Sequence, residues 1–278
     1  METTIQEVIN HKKLSGDKLD KEWNKLMKYK SVEDKCSFVG NNIIYHYCLE
    51  HLIKCRRNKK KSLVEIFEDP KLKEQLWEQT ERRNTGVQGR RGTVPNRMFE
   101  CWRVNHGAIV FFKPYEAIKM YKRYGATKVL DPTAGWGGRA LGAVNCGIEY
   151  TGIDTNIELK PAYDKMFEGR DNIKMIWESC LEVDFSKLDF DFVLTSPPYV
   201  NVEEYEHMTL WKNDDDFYKD FLIPLIDKCR KYCKGRVCFN ISPQMYKKLM
   251  KYKYDEPIDS HVLKEHKNGN NTDMIYVW

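Results

Sequence analysis

Apolar positions follow two different rhythms along this chain. Up to about residue 80 they recur at mixed three- and four-residue spacing, across Val32 to Ile53 and Leu63 to Trp77, among many Lys and Glu and few Gly, which predicts helices. Residues 82–97 are rich in Gly, Arg and Asn and predict a loop or linker. The rhythm changes after Pro114. Pro114 to Tyr124 predicts a helix opened by proline and closed at Gly125. Beyond it, predicted strands at Thr127 to Leu130, Tyr150 to Ile153, Ile173 to Trp177, Phe190 to Thr195, Val237 to Ile241 and Met274 to Trp278 alternate with helical stretches. Those helices are Gly138 to Asn145, Leu159 to Phe167, Asp216 to Tyr232 and Gln244 to Tyr252. Strands separated by helices at this spacing predict an α/β fold, a doubly wound, mostly parallel sheet that binds ligands at the carboxyl ends of its strands. The expected organisation is a mainly helical, basic extension over residues 1–105, offering a nucleic-acid recognition surface, followed by the sheet-bearing domain over residues 106–278.

Composition narrows the class. With 278 residues, 41% hydrophobic and 31% charged, the chain is neither a low-hydrophobicity disordered sequence nor a membrane-spanning one. Met1 to Lys13 holds no apolar stretch and carries Glu2 and Glu7, so no secretory or transit signal is expected and the location is expected to be cytoplasmic. Nine scattered cysteines predict reduced thiols. Cys229, Cys233 and Cys238 lie close together, but without a nearby histidine or a CxxC knuckle no metal site is expected.

The net charge of +5 is modest, and its distribution says more than its size. Arg56, Arg57, Lys59, Lys60 and Lys61 form one basic run, which reads most simply as a solvated surface. Arg82, Arg83, Arg90, Arg91, Arg97 and Arg103 form a second, interleaved with Gly86, Gly89, Gly92, Phe99 and Trp102. Guanidinium forks suit phosphate oxygens and rings suit base stacking, so this second stretch predicts nucleic-acid binding.

The first predicted strand runs into Asp131-Pro132-Thr133-Ala134-Gly135-Trp136-Gly137-Gly138-Arg139. Glycines there permit a tight strand-to-helix turn and close approach of a ligand to bare backbone. Gly135, Gly137 and Ala140 formally satisfy a dinucleotide fingerprint, with Asp154 placed for ribose hydroxyls. Two cofactor classes therefore compete. A dinucleotide brings a pyrophosphate, which the Asp131 carboxylate would repel; S-adenosylmethionine brings an ammonium and a sulfonium, which want acceptors.

The strand Phe190 to Thr195 ends in Ser196-Pro197-Pro198-Tyr199. Neither proline can donate to a ladder, so the chain must turn out rigidly at the strand end. A rigid turn suits the alignment of a planar amine with a methyl donor. Acceptors on its two N–H bonds, the Ser196 hydroxyl and the Pro197 carbonyl, would pull the nitrogen toward a tetrahedral form, and Tyr199 could stack on the base.

The order Asp-Pro-x-x-Gly-x-Gly, then Gly152-Ile153-Asp154, then Thr195-Ser196-Pro197-Pro198-Tyr199 resembles the amino-methyltransferases of the class I S-adenosylmethionine-dependent superfamily, which methylate adenine N6 or cytosine N4. Asn105-His106-Gly107-Ala108 and Phe111-Phe112-Lys113-Pro114 resemble the segment that in this family closes over the methionine end of the cofactor. The resemblance implies a Rossmann-like, seven-stranded sheet whose last strand is antiparallel. It implies S-adenosyl-L-methionine held by Phe112, by Asp131, Pro132, Thr133, Ala134, Gly135 and Gly137, by Asp154 and Thr155, and by Ser179, Cys180 and Ser196. Asp131 is expected at the methionine ammonium and Asp154 at the ribose. Ser196, Pro197, Pro198 and Tyr199 are expected at the target amine, cytosine N4 ahead of adenine N6, in DNA ahead of RNA. The chain departs from the family at Thr133 and Trp136, where Phe and a small residue are usual, and at Glu178-Ser179-Cys180, where an acid near the adenine is usual. Methylation of RNA or of a protein glutamine, and a non-catalytic nucleic-acid-binding subunit, are the alternatives. A dinucleotide oxidoreductase fits least, because no hydride-relay residues accompany the loop.

Overall fold

The computed structural model describes residues 3–30, 37–57, 59–84, 92–107, 109–199, 203–204, 211–264 and 273–278. In chain order the N-terminal part holds α1 (Ile5–Lys12), α2 (Gly16–Lys28), α3 (Asn41–Leu52), β1 (Arg56–Arg57), α4 (Leu63–Glu68), α5 (Pro70–Asn84) and α6 (Val94–Trp102). Next come α7 (Pro114–Tyr124), β2 (Lys128–Asp131), α8 (Gly138–Cys146), β3 (Glu149–Ile153), α9 (Lys160–Met166), β4 (Ile173–Ile176) and β5 (Phe192–Thr195). The chain continues through β6 (Glu203–Glu204), α10 (Asp214–Phe217), α11 (Ile223–Tyr232), β7 (Arg236–Ile241), α12 (Pro243–Lys251), β8 (Asp259–Lys264) and β9 (Asp273–Val277).

Seven strands form one sheet in the order β4-β3-β2-β5-β7-β9-β8. The pairs from β4 through β7 are parallel, and β9 runs antiparallel to both its neighbours. The fold is Rossmann-like. Strand side chains alternate between two apolar layers. Val129, Tyr150, Phe192 and Leu194 face one side with Ile118, Tyr121, Ala140 and Tyr163, while Leu130, Ile153, Val193, Val237 and Phe239 face the other with Phe217, Leu225, Ile226 and Leu249. Burial on both faces is why these strands are short continuous apolar runs rather than alternating ones.

Local chemistry sets the ends of the elements. Pro114 stands in the first turn of α7, and Gly125 closes it with φ +63°. Thr4 with Glu7 and Ser62 with Glu65 form reciprocal capping boxes at α1 and α4. The helix predicted over Asp216 to Tyr232 is α10 and α11 joined by a π-helical turn, Tyr218–Leu222. Pro224 explains the widening, because it has no N–H for the regular ladder and its ring would collide with the carbonyl four residues back. Three strands lie outside the sequence expectation, the two-residue β1 and β6 and, in the seven-stranded sheet, β8. β8 is an edge strand of mixed polarity, Val262 is 49% exposed, and the ladder is irregular between Val262 and Lys264.

The N-terminal helices have an apolar cluster of their own and also pack against the sheet. Ile43, Ile44, Cys48 and Leu52 of α3 join the layer against the sheet, whereas Leu49 and Ile53 join a cluster with Val8, Leu63, Leu76, Met98, Phe99 and Trp102. Helix α3 is therefore the shared wall between the extension and the sheet.

One tie within that layer is sensitive to pH. The Leu14 N–H donates to His46 Nδ1 at 2.9 Å, a bond that only the neutral ring can accept. Burial, and then Lys13, lower the His46 pKa from 6.5. With the folded value depressed, the unfolded chain binds more protons just below 6.5, so stability is lost as pH falls through that window and regained as it rises. Urea midpoints measured between about pH 5 and 7 should climb with pH in the wild type and climb less in His46→Gln. Equal slopes in the two proteins would rule the contribution out.

Candidate active site

Neighbouring strands β2 and β5 run parallel, with Val129 opposite Phe192 and Leu130 opposite Val193. Their carboxyl ends therefore lie side by side, which puts the glycine loop after β2 next to the Ser196 to Tyr199 turn after β5. The two loops are linked directly. Thr133 Oγ1 and Thr195 Oγ1 are 2.7 Å apart, and the Thr195 hydroxyl donates to Asp131 Oδ1 at 2.8 Å.

Asp131 is the hub of this junction, with none of its surface exposed. Its Oδ2 accepts from Arg139 Nε at 2.6 Å and from the Tyr150 hydroxyl at 2.6 Å. Arg139, 3% exposed, also donates through Nη2 to the Thr133 carbonyl at 2.5 Å, and its guanidinium lies 5.1 Å from the Phe112 ring centroid. Desolvation works against the Arg139 charge, but the Asp131 carboxylate outweighs it and holds the pKa above its ordinary value. Burial, and then Asp131, push the Tyr150 phenol well above 10. Asp131, expected at a methionine ammonium, is thus engaged within the protein. Both its oxygens already accept from side chains, its charge is balanced by Arg139, and it presents no surface to a ligand.

Asp154, just after β3, stands at the mouth of the loop. Its Oδ2 accepts the Gly135 N–H at 2.7 Å and its Oδ1 accepts the Asn156 N–H at 2.9 Å. Burial raises its pKa, partly offset by those two backbone donors. The Ala134 N–H bonds to the Ile153 carbonyl at 2.9 Å, and the buried Tyr163 hydroxyl donates to the Gly135 carbonyl at 2.9 Å. At Gly135, with φ +58°, an added Cβ would meet only the Thr133 carbonyl at 3.9 Å, so open space lies in front of the bare backbone. Gly138 is fixed for another reason: a Cβ there would sit 1.8 Å from the Phe112 carbonyl oxygen. That contact clamps the Phe111 to Pro114 segment onto the start of α8, whose N-cap is Gly137. Pro132 is buried in the turn, Thr133 is half-buried and Thr155 is exposed.

The rest of the expected ligand set divides. The Cys180 side chain packs in the core, and burial pushes its thiol up to about 12, while Lys228 Nζ holds the Cys180 and Leu181 carbonyls at 3.0 and 2.6 Å. Ser179 is half-buried beside it. Asn156 is 7% exposed and its Oδ1 has no partner among the described residues. In the turn, Pro197 is buried, Ser196 and Pro198 are half-buried, and the half-buried Tyr199 packs against the second apolar layer.

These residues fit an adenosyl ligand better than a dinucleotide. A backbone left open at Gly135, a carboxylate at its rim and a buried amide oxygen still to be satisfied all offer acceptors to hydroxyls and N–H groups. Arg139, a cation beneath the loop, is occupied by Asp131 and so is not offered to a pyrophosphate. An open cleft of ≈ 650 Å³ lined by Arg123, Tyr124, Asp191, Phe192, Lys234 and Arg236 lies at the opposite, amino ends of β5 and β7, away from this junction.

The described arginines of the second basic stretch mostly pair with acids of the helical layer. Arg97 is 12% exposed at its side chain and ion-paired with Glu81 at 3.1 Å, joining α6 to α5. Arg103 pairs with Glu100 at 2.8 Å, and Phe99 and Trp102, expected as stacking rings, are 2% and 3% exposed in the helical core. Arg82 pairs with Glu78 and Arg83 is exposed; Arg90 and Arg91 lie outside the described residues. The first basic run gains a position: Arg56 and Arg57 form a two-residue antiparallel ladder with Glu204 and Glu203, just beyond the Ser196 to Tyr199 turn. Sequence reasoning missed Arg139, Tyr150 and Asn240. For Asn240 a signal existed, a lone amide inside the apolar run Val237 to Ile241.

No protein-family model matches the chain, and no curated protein matches it. Solved structures do resemble it. An rRNA methylase from Streptococcus thermophilus aligns at 12% identity and a TM-score of 0.42, over 61% of this chain and 97% of the other. A Pyrococcus abyssi tRNA (uracil-54, C5)-methyltransferase, crystallised with S-adenosyl-L-homocysteine, aligns at 15% identity and 0.43, over 60% of this chain and 40% of the other. The M. jannaschii tRNA m1G37 methyltransferase aligns at 19% identity and 0.40, over 62% and 51%. Each is a distant likeness of chain path.

Proposed function

We propose that this chain is an S-adenosylmethionine-dependent N-methyltransferase acting on the exocyclic amino group of a nucleobase in DNA, cytosine N4 first. The observation that carries the reading is the junction of Thr133, Thr195 and Asp131, which holds the glycine loop and the diproline turn side by side at adjacent strand ends. The serine at the head of the tetrapeptide supports cytosine, through the resemblance that this turn carries.

When bound, S-adenosylmethionine supplies an electrophilic methyl group on a sulfonium. Asp154 and the backbone around Gly135 would hold its adenosyl part, and Phe112 and Thr133 would border the other end. The protein's own task is to present the nitrogen. An exocyclic amine is a poor nucleophile because its lone pair is delocalised into the ring. Acceptors at Ser196 Oγ and the Pro197 carbonyl would engage both N–H bonds and turn the lone pair out of the ring plane. Because two prolines stiffen the turn and Thr195 anchors its base, those acceptors stay aligned without reorganising during the reaction. In a duplex the base must first be flipped out, at a cost of a few kcal/mol.

The test is direct. Incubation with methyl-labelled cofactor and single- or double-stranded DNA or RNA, followed by mass identification of the modified nucleoside, should yield N4-methylated deoxycytidine. Label confined to RNA would move the acceptor while keeping the chemistry. Label on carbon, or no transfer despite calorimetrically verified cofactor binding, would overturn the proposal.

A further inference from the structure

A buried amide stands behind the turn and fixes the direction of one hydrogen bond. Thr195 lies opposite Phe239 in the β5–β7 ladder, so the following residues, Ser196 and Asn240, lie next to each other. The Ser196 hydroxyl and Asn240 Oδ1 are 3.0 Å apart, Asn240 Nδ2 is 3.0 Å from the Met274 carbonyl, and Asn240 is 7% exposed. A backbone carbonyl can only accept, so the end of the amide facing Met274 must be its NH₂. The end facing Ser196 is then the oxygen, which also can only accept. The Ser196 hydroxyl must therefore donate its single proton to Asn240, and it meets any incoming group with lone pairs alone.

We infer that Asn240 is a positioning residue that sets the polarity of Ser196, making that hydroxyl an acceptor for an N–H and the site selective for an amino group over a carbonyl oxygen. The inference rests on the amine-methylation reading above. It explains how a hydroxyl, which elsewhere donates or accepts at will, can tell cytosine from uracil. A carbonyl oxygen at the same place would face Ser196 lone pairs and gain no bond, and a site that leaves buried polar groups unpaired rejects such a ligand strongly.

The probes are a cytosine-containing single-stranded oligodeoxynucleotide and its uracil-substituted counterpart, with wild type, Asn240→Ala and Asn240→Asp compared and the folded fraction followed by circular dichroism in each buffer. In Asn240→Ala the freed hydroxyl can turn and donate, so kcat should fall roughly tenfold to hundredfold with the KM for cofactor within about twofold, and the preference for cytosine over uracil in binding should shrink toward unity. In Asn240→Asp a protonated carboxyl can donate to Met274 and still accept from Ser196, whereas the ionised form meets the carbonyl with like polarity. Activity per folded molecule should therefore recover as pH falls, which Asn240→Ala cannot do. Wild-type kcat and base preference in Asn240→Ala would overturn the positioning role while leaving amine methylation standing. So would reduced turnover with the cytosine preference intact, which indicates support of the fold only. Wild-type transfer to carbon, or none, would remove the reading above and this inference with it.

Discussion

Asp131→Ala should destabilise the protein by roughly 3–5 kcal/mol, the range for removing one partner of a buried ion pair. The carboxylate has no exposed surface, and its loss strands the Arg139 guanidinium together with the Tyr150 and Thr195 hydroxyls, all bonded to it at 2.6 to 2.8 Å. The damage comes from the uncompensated cation more than from the lost attraction. Asp131→Ala combined with Arg139→Leu should therefore cost less than the sum of the single changes, a deficit that a double-mutant cycle in urea would read directly. If Asp131→Ala unfolded within about 1 kcal/mol of wild type, the carboxylate would not be the hub that its contacts describe.

What the sequence revealed, and what it hid, follows from the kind of information a pattern carries. The change from helical spacing to short apolar runs placed six strands of the sheet, because burial on both faces leaves a periodic trace. β8 left none: as an edge strand it buries little, and Asp259, Ser260 and His261 give it no apolar run. Positions along a chain also do not name their partners. Arg97, Phe99 and Trp102 have the composition of a nucleic-acid surface, yet α6 turns Phe99 and Trp102 into the helical core and Arg97 onto Glu81. Asp131 was legible as a carboxylate at a loop mouth; that Arg139 would neutralise it depends on one turn of α8 folding back beneath the loop. The adjacency of the glycine loop and the diproline turn was legible, since strand ends in a doubly wound sheet converge wherever the connecting helices allow. Asn240 needed the fold, because only the neighbouring strand shows what a solitary buried amide faces.

The second large effect separates chemistry from architecture within two adjacent residues. Ser196→Ala combined with Pro197→Ala should lower kcat by at least about a hundredfold, as losing aligned polar partners of a reacting group does elsewhere, while cofactor affinity changes by no more than about twofold. Ser196 bonds to Asn240 and not to the glycine loop, so its hydroxyl can be removed without disturbing Asp131, Thr133 or Gly135. One residue earlier the logic reverses. Thr195 touches no substrate in this reading, but its hydroxyl bridges Thr133 and Asp131 beneath the cofactor site. Thr195→Val keeps the shape and deletes that bridge, so it should weaken cofactor binding and stability together while leaving the two acceptors of the turn in place. Calorimetric titration with the cofactor beside single-turnover methyl transfer distinguishes the two outcomes. If Ser196→Ala/Pro197→Ala lost cofactor binding as badly as turnover, the turn would be part of the scaffold, and the amine would have to be held by some other group.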